Sequence, residues 1–95
     1  MHSLYILYSV SVNKFYIGET DDIDNRLIKH NNHLYNGSFT KIAGDWKVVL
    51  LFECTSKDQA LRIEKFIKKM KSKIFINKII QNPEILTDII SKNNF

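Results

Sequence analysis

Two short apolar runs stand at the head of the chain, residues 3–9 and 14–19, with only Val10-Ser11-Val12-Asn13 between them. Tyr, Leu and Ile dominate both, a composition that suits strands. Four intervening residues are short enough for a hairpin. Register decides which side chains share a face of such a pair. With Tyr8 opposite Phe15, Tyr5 stands opposite Gly18 and Tyr16 opposite Leu7, so both tyrosines project from one side. A slip of one residue would separate them. Gly18 facing Tyr5 is expected to leave open space over the phenol for a ligand.

A helix is expected next. Asp21-Asp22 supply a cap, and acids suit its positive end. Ile23, Leu27 and Ile28 form its inward stripe, and Arg26 and His30, four residues apart, border that stripe. Residues 33–45 hold the turn signals Asn36-Gly37-Ser38 and Ala43-Gly44-Asp45 and read as a loop. Residues 46–54 read as a third strand whose apolar residues do not alternate, which predicts cover on both faces.

Ser56-Lys57-Asp58-Gln59 fits a capping box. The helix that follows places Ala60, Ile63, Ile67 and Met70 on one stripe, with Glu64 beside it and Lys65 and Lys69 pointing outward. Phe75, Ile76, Ile79 and Ile80 give residues 72–81 a helical face. Asn82-Pro83 breaks the pattern, with Pro83 opening a last helix that carries Ile85, Leu86, Ile89 and Ile90. The order is β-β-α-β-α-α-α, a small α/β (α+β) domain. Ninety-five residues allow one core.

The longest apolar run, Val48-Val49-Leu50-Leu51-Phe52, is far too short to span a bilayer. Nothing at the start resembles a secretory signal. One cysteine, Cys54, cannot form an internal disulfide, which favours a reducing, cytoplasmic setting. Net charge is +4, but residues 57–78 carry eight basic residues against Asp58 and Glu64, a surplus larger than that of the whole chain. A basic segment of this kind is the usual footprint of a nucleic-acid binder, or a plain solvated helix face.

Five side chains are candidates for chemistry, and each has a structural reading too. Strand tyrosines are usually core aromatics with the hydroxyl at a polar edge; functionally, Tyr5 and Tyr16 would handle the proton of an attacking water. Arg26 either pairs with Asp22 or clamps phosphate oxygens. His30 is either a helix surface residue or a phosphate contact and proton donor near neutral pH. Glu64 either pairs with Lys68 or holds a Mg2+ ion with waters and substrate phosphate. His30 and His33 lack the further ligands that zinc needs.

Taken together, these residues resemble the GIY-YIG nuclease family. Ser3-Leu4-Tyr5 stands in the GIY place and Tyr16-Ile17-Gly18 is a literal YIG, the two tyrosines eleven residues apart. Arg26, His30 and Glu64 fall where the family has its arginine, its common histidine and its metal-binding glutamate. Ser38-Phe39-Thr40-Lys41 and Asn82-Pro83 further resemble the small stand-alone bacterial branch, which is similar to the nuclease domain of excision-repair proteins. The resemblance covers residues 1–84, leaving 85–95 as a helical tail packed on the same domain.

The resemblance implies a three-stranded antiparallel sheet flanked by helices and a Mg2+-dependent (or Mn2+-dependent) cleavage of DNA. Glu64 would hold the metal, one tyrosine would help deprotonate water, and Arg26 and His30 would steady the phosphate. Lys41, Lys65, Lys68, Lys69 and Asn77 are the expected nucleic-acid contacts, Asn82 being the alternative for the family's asparagine. Single-stranded, branched and damaged DNA are the expected substrates, with a role in DNA repair and a protein partner compatible with the reading. Glu19 stands where some members have lysine. The competing expectations are a catalytically weak nucleic-acid-binding module of the same fold, and an interaction domain whose apolar last helix docks a partner.

Overall fold

A computed structural model describes residues 2–32 and 42–95. It contains β1 (His2–Ser9), β2 (Lys14–Thr20), α1 (Ile23–Asn31), β3 (Lys47–Cys54), α2 (Lys57–Met70), α3 (Lys73–Gln81) and α4 (Glu84–Asn93). The three strands form one antiparallel sheet in the order β2-β1-β3. This is the α+β arrangement and element order that the sequence predicts.

β1 and β2 pair in the expected register, with Tyr5 opposite Gly18, Leu7 opposite Tyr16 and Tyr8 opposite Phe15. The connection turns at Asn13, whose φ of 51° is left-handed, a conformation asparagine tolerates better than most residues. Asp45 braces the hairpin from outside by accepting hydrogen bonds from the Ser9 hydroxyl and from the Ser11 N–H and hydroxyl. Those bonds, the Ser9 hydroxyl first, hold the Asp45 carboxyl down at about 2.

Strand alternation splits the core into two layers. Leu4, Ile6 and Ile17 pack against Ala60, Ile63 and Ile67 of α2, Ile79 of α3, and Leu86 and Ile89 of α4. Full burial of each Leu or Ile contributes about 1.5–3 kcal/mol. On the opposite face, Tyr5, Leu7 and Tyr16 pack with Trp46 and with Ile23 and Leu27 of α1.

The helix starts follow from the local sequence. Asp22 caps α1 through the Asn25 N–H, Ser56 caps α2 through the Gln59 N–H, and Ser72 caps α3 through the Phe75 N–H. Gln59 reaches back to the Thr55 N–H, one residue earlier than a simple capping box would place it.

Some expectations need correction. β3 is not covered on both faces, because Val48, Val49 and Leu51 are exposed. Leu51 and Val48 lie opposite Tyr5 and Leu7, whereas Val49 borders a cavity with Tyr8, Phe15 and Ile80. β3 also pairs irregularly with β1: Ile6 faces Leu50 but Leu7 faces Val48, which leaves Val49 as an extra residue. Met70 and Ile28 lie at their helix ends and are exposed rather than inward. Pro83 immediately precedes α4 instead of opening it.

Candidate active site

Tyr5 sits on the central strand and Tyr16 on the edge strand, on one face of the sheet, with ring centres 6.2 Å apart. Their surroundings differ. Tyr5 is only 1% exposed, whereas Tyr16 is half-buried. No open space lies over Tyr5, contrary to the sequence expectation: its phenol covers Gly18 itself. The absent side chain makes room for the protein's own ring, as when an aromatic lies across a strand glycine.

α1 delivers the next group. His30, on its last turn, is 2% exposed and its Nε2 is hydrogen bonded to the Tyr5 hydroxyl at 2.9 Å. The Tyr16 ring centre lies 4.7 Å from the imidazole. Burial, and secondarily the nearby Arg26 guanidinium, hold the His30 pKa down at about 4. The imidazole is therefore neutral at pH 7, which does not suit proton donation near neutral pH. Arg26, one turn earlier and half-buried, is close enough to act electrostatically on His30.

A feature that sequence reasoning missed fixes the end of α1. The Asn31 side chain accepts from the Trp46 N–H at 2.8 Å and donates to the Trp46 carbonyl at 3.1 Å. This two-bond amide clamp ties the residue after His30 to the approach of β3. The only hint in the sequence is an asparagine next to the histidine.

Glu64 comes from the other layer. It lies on α2, beside the buried Ile63 and Ile67, with its side chain 20% exposed. Its Oε2 accepts from Lys68 Nζ at 2.9 Å. The same ammonium sits 5.6 Å from the centre of the Tyr16 ring. Since Tyr16 faces the α1 layer and α2 packs on the opposite face, Lys68 bridges the two layers around the edge strand β2. Contacts thus run without a break from His30 through Tyr5, Tyr16 and Lys68 to Glu64, with Arg26 one turn before His30 on α1.

Other nominated residues lie elsewhere. Lys65 and Lys69 line a shallow cavity with Arg62, Phe66 and Phe95, and Lys68 is absent from that set. Asn77 is exposed on α3, beside Tyr8 and Phe15 at the turn end of the hairpin. Glu19 stands 2.7 Å from His2 and faces away from the tyrosines, opposite Leu4. Lys41, His33 and the 38–41 segment lie outside the described residues.

The sequence matches the GIY-YIG catalytic domain over residues 1–79, most of the chain. The chain belongs to the GIY-YIG family. The match takes in both tyrosine motifs and Glu64. A relative named as a UPF0213 protein, from Syntrophus aciditrophicus (strain SB), is 37% identical over 81 residues, which is 85% of this chain and 92% of that protein. No solved structure matches the chain. GIY-YIG proteins are endonucleases, so membership supports a nuclease-type function. No helix among the described residues is long and apolar enough to cross a membrane.

GIY-YIG nucleases generally depend on a divalent metal ion. Among the described residues there is no group of three or more His, Cys, Asp or Glu side chains that could cage an ion. Glu64 instead offers one partly buried carboxylate. That fits a hard cation such as Mg2+, which keeps several waters and takes one or two carboxylates plus substrate phosphate. It does not fit a closed zinc centre.

Proposed function

We propose that this chain is a metal-dependent endonuclease that hydrolyses DNA phosphodiester bonds, with Tyr5, Tyr16, Arg26, His30 and Glu64 as its reactive set. The observation that carries this reading is the buried Tyr5–His30 hydrogen bond lying against the Tyr16 ring. Buried polar pairs between a strand and a helix are costly unless fully satisfied. Here the pair stands directly behind a half-exposed phenol.

Exposure separates the two tyrosines, which the sequence leaves equivalent. Tyr16 is the phenol within reach of solvent and takes the proton of the attacking water. Tyr5 stays inside and, held by neutral His30, fixes the floor on which Tyr16 rests. Only the phenolate form of Tyr16 can take that proton, and the Lys68 ammonium sits 5.6 Å from the ring centre. Arg26 binds the non-bridging phosphate oxygens, for which a guanidinium fork is suited. Glu64 would hold the Mg2+ or Mn2+ ion, which supplies Lewis-acid stabilisation of charge on the phosphate when bound. Lys68 holds the Glu64 carboxylate by its 2.9 Å hydrogen bond beside the β2 edge.

DNA repair intermediates with single-stranded, branched or damaged segments are the substrates we favour, acted on in the cytoplasm, where a reducing environment suits the buried free thiol of Cys54. The decisive measurement is cleavage of single-stranded, duplex and branched DNA with Mg2+ or Mn2+, before and after Glu64→Ala. Metal-dependent cutting that disappears in the variant while DNA affinity persists is the expected result. DNA binding with no cutting by the native chain under either ion would make it a binding module instead.

A further inference from the structure

We infer that one nucleic-acid strand leaves Tyr16 along a second, basic cleft, where Lys14, Lys68, Lys71 and Lys73 hold its phosphates. The inference deepens the nuclease reading and takes from it the position of the reacting phosphate. The cleft lies between β2, the end of α2 and the start of α3. Its walls are those four lysines and Ser72, and its floor is Phe15, Ile17, Ile67 and Ile76.

Three observations carry it. First, the cleft is continuous with the site, since Lys68 belongs to both: it touches Glu64, lies near the Tyr16 ring, and lines the cleft. Second, three of its four lysines are uncompensated. Among the described residues no carboxylate pairs with Lys14, Lys71 or Lys73, and α3 begins there with no acidic residue in its first turn. Helix starts present unpaired N–H groups and a positive dipole end, which favour phosphate. Third, Lys71 holds a left-handed conformation at the end of α2, with φ 49° and ψ 41°. Glycine adopts that conformation without steric cost, and a lysine does not. The residue at this cap thus gives up local stability and places an ammonium at the cleft wall. Lys73 is fixed as well, its Nζ donating to the Asn13 carbonyl at 2.8 Å.

An apolar floor between basic walls suits the sugar–phosphate backbone of one strand, whether unpaired or part of a duplex. Lys65 and Lys69, on another side of α2, are then not part of the track. Two double variants of equal net charge separate these sets: Lys14→Ala with Lys71→Gly, and Lys65→Ala with Lys69→Ala. Binding to fluorescent single-stranded and duplex oligonucleotides is followed by anisotropy in EDTA over a range of salt, and thermal unfolding is recorded alongside.

The cleft variant is expected to bind about tenfold or more weakly, with a salt slope reduced by nearly two, and to melt no lower than the native chain. The other variant should bind like the native chain. Dependence on the cleft lysines with either oligonucleotide sustains the inference, and the arm showing it identifies the strand form. Equal or greater loss in the Lys65/Lys69 variant, native-like binding by the cleft variant, or no binding by the native chain overturns it. Should the cleft variant not fold, acylation footprinting of the native chain decides: bound DNA must protect Lys14 and Lys71 more than Lys65 and Lys69. Cleft-dependent binding without metal-dependent cutting would sustain the cleft and sink the nuclease reading.

Discussion

The phenol of Tyr5 occupies the space a side chain on Gly18 would need: a β-carbon there falls 2.5 Å from the Tyr5 oxygen and 2.7 Å from the ring carbon that bears it. The two residues face each other across the β1–β2 pair, and the ring end clamped by His30 has nowhere to retreat. Gly18→Ala should therefore cost about 1–3 kcal/mol of stability, the range for overpacking a filled core, and reduce cleavage as well. Chemical denaturation and initial rates read the two effects separately. A stable, fully active Gly18→Ala protein would show that Tyr5 need not be held in place.

Glu64 is the one carboxylate in the contact chain that ends at Tyr16. Glu64→Gln preserves shape and removes the charge. We expect metal-dependent cleavage to fall by about 10²-fold or more, in line with losing a key electrostatic group. Stability should change little, because Lys68 is half exposed and an i, i+4 pair of this kind is worth about 0.3–0.5 kcal/mol. Tighter apparent metal binding in the variant would contradict the assignment.

The tyrosines should respond differently to loss of one oxygen. Tyr16→Phe is predicted to lower kcat by about 10²–10⁴-fold, the range for a general base, with an unchanged melting curve. Tyr5→Phe removes the 2.9 Å bond to His30 and should cost about 1 kcal/mol of stability along with activity. The reverse pattern would exchange their roles.

His30 makes stability depend on pH. Its pKa falls from 6.5 to about 4 on folding, through burial first and Arg26 second. Between those values the unfolded chain binds more protons, so stability must rise with pH across the window. The contribution is complete above pH 6.5 and is lost as pH falls toward 4. Melting temperatures from pH 4.5 to 7.5 should show this rise, and His30→Gln should flatten it. An unchanged slope in the variant would place the titration elsewhere.

Asn31 holds the end of α1 against the residue that leads into β3. Asn31→Ala deletes both bonds to the Trp46 backbone and should cost about 1–3 kcal/mol. Since His30 is the preceding residue, the activity loss should exceed that of an equally destabilising change in α4, such as Ile89→Val. Matched losses in the two variants would make the clamp purely structural.

Much of this arrangement is legible in the sequence, and the reasons are local. The four-residue gap and the Tyr8–Phe15 pairing set the hairpin register, and that register brings Ile6 of β1 opposite Ile17 of β2 in one buried cluster. Asp22 and Ser56 announce their helices, because each cap bonds within three residues. The nuclease family is readable from Tyr5, Tyr16, Arg26, His30 and Glu64 in order. What escapes is non-local. Nothing in the strand pattern tells that Tyr5 folds over Gly18, that Asn31 clamps Trp46, or that Leu51 is half exposed. Helical spacing turns Lys65 and Lys69 outward and sets Lys68 beside Glu64; only the packed helix brings Lys68 to Tyr16 and Lys65 and Lys69 to a cavity shared with Phe95.

Among the described residues, the outer rim of β2, beside which Tyr16 and Lys68 meet, has no neighbouring strand in the sheet. A guest peptide that hydrogen-bonded to this rim would stand like a fence between the Tyr16 ring and the Lys68 ammonium. If DNA enters along this rim, as proposed, such a peptide would compete with it, and a competition binding assay would reveal it.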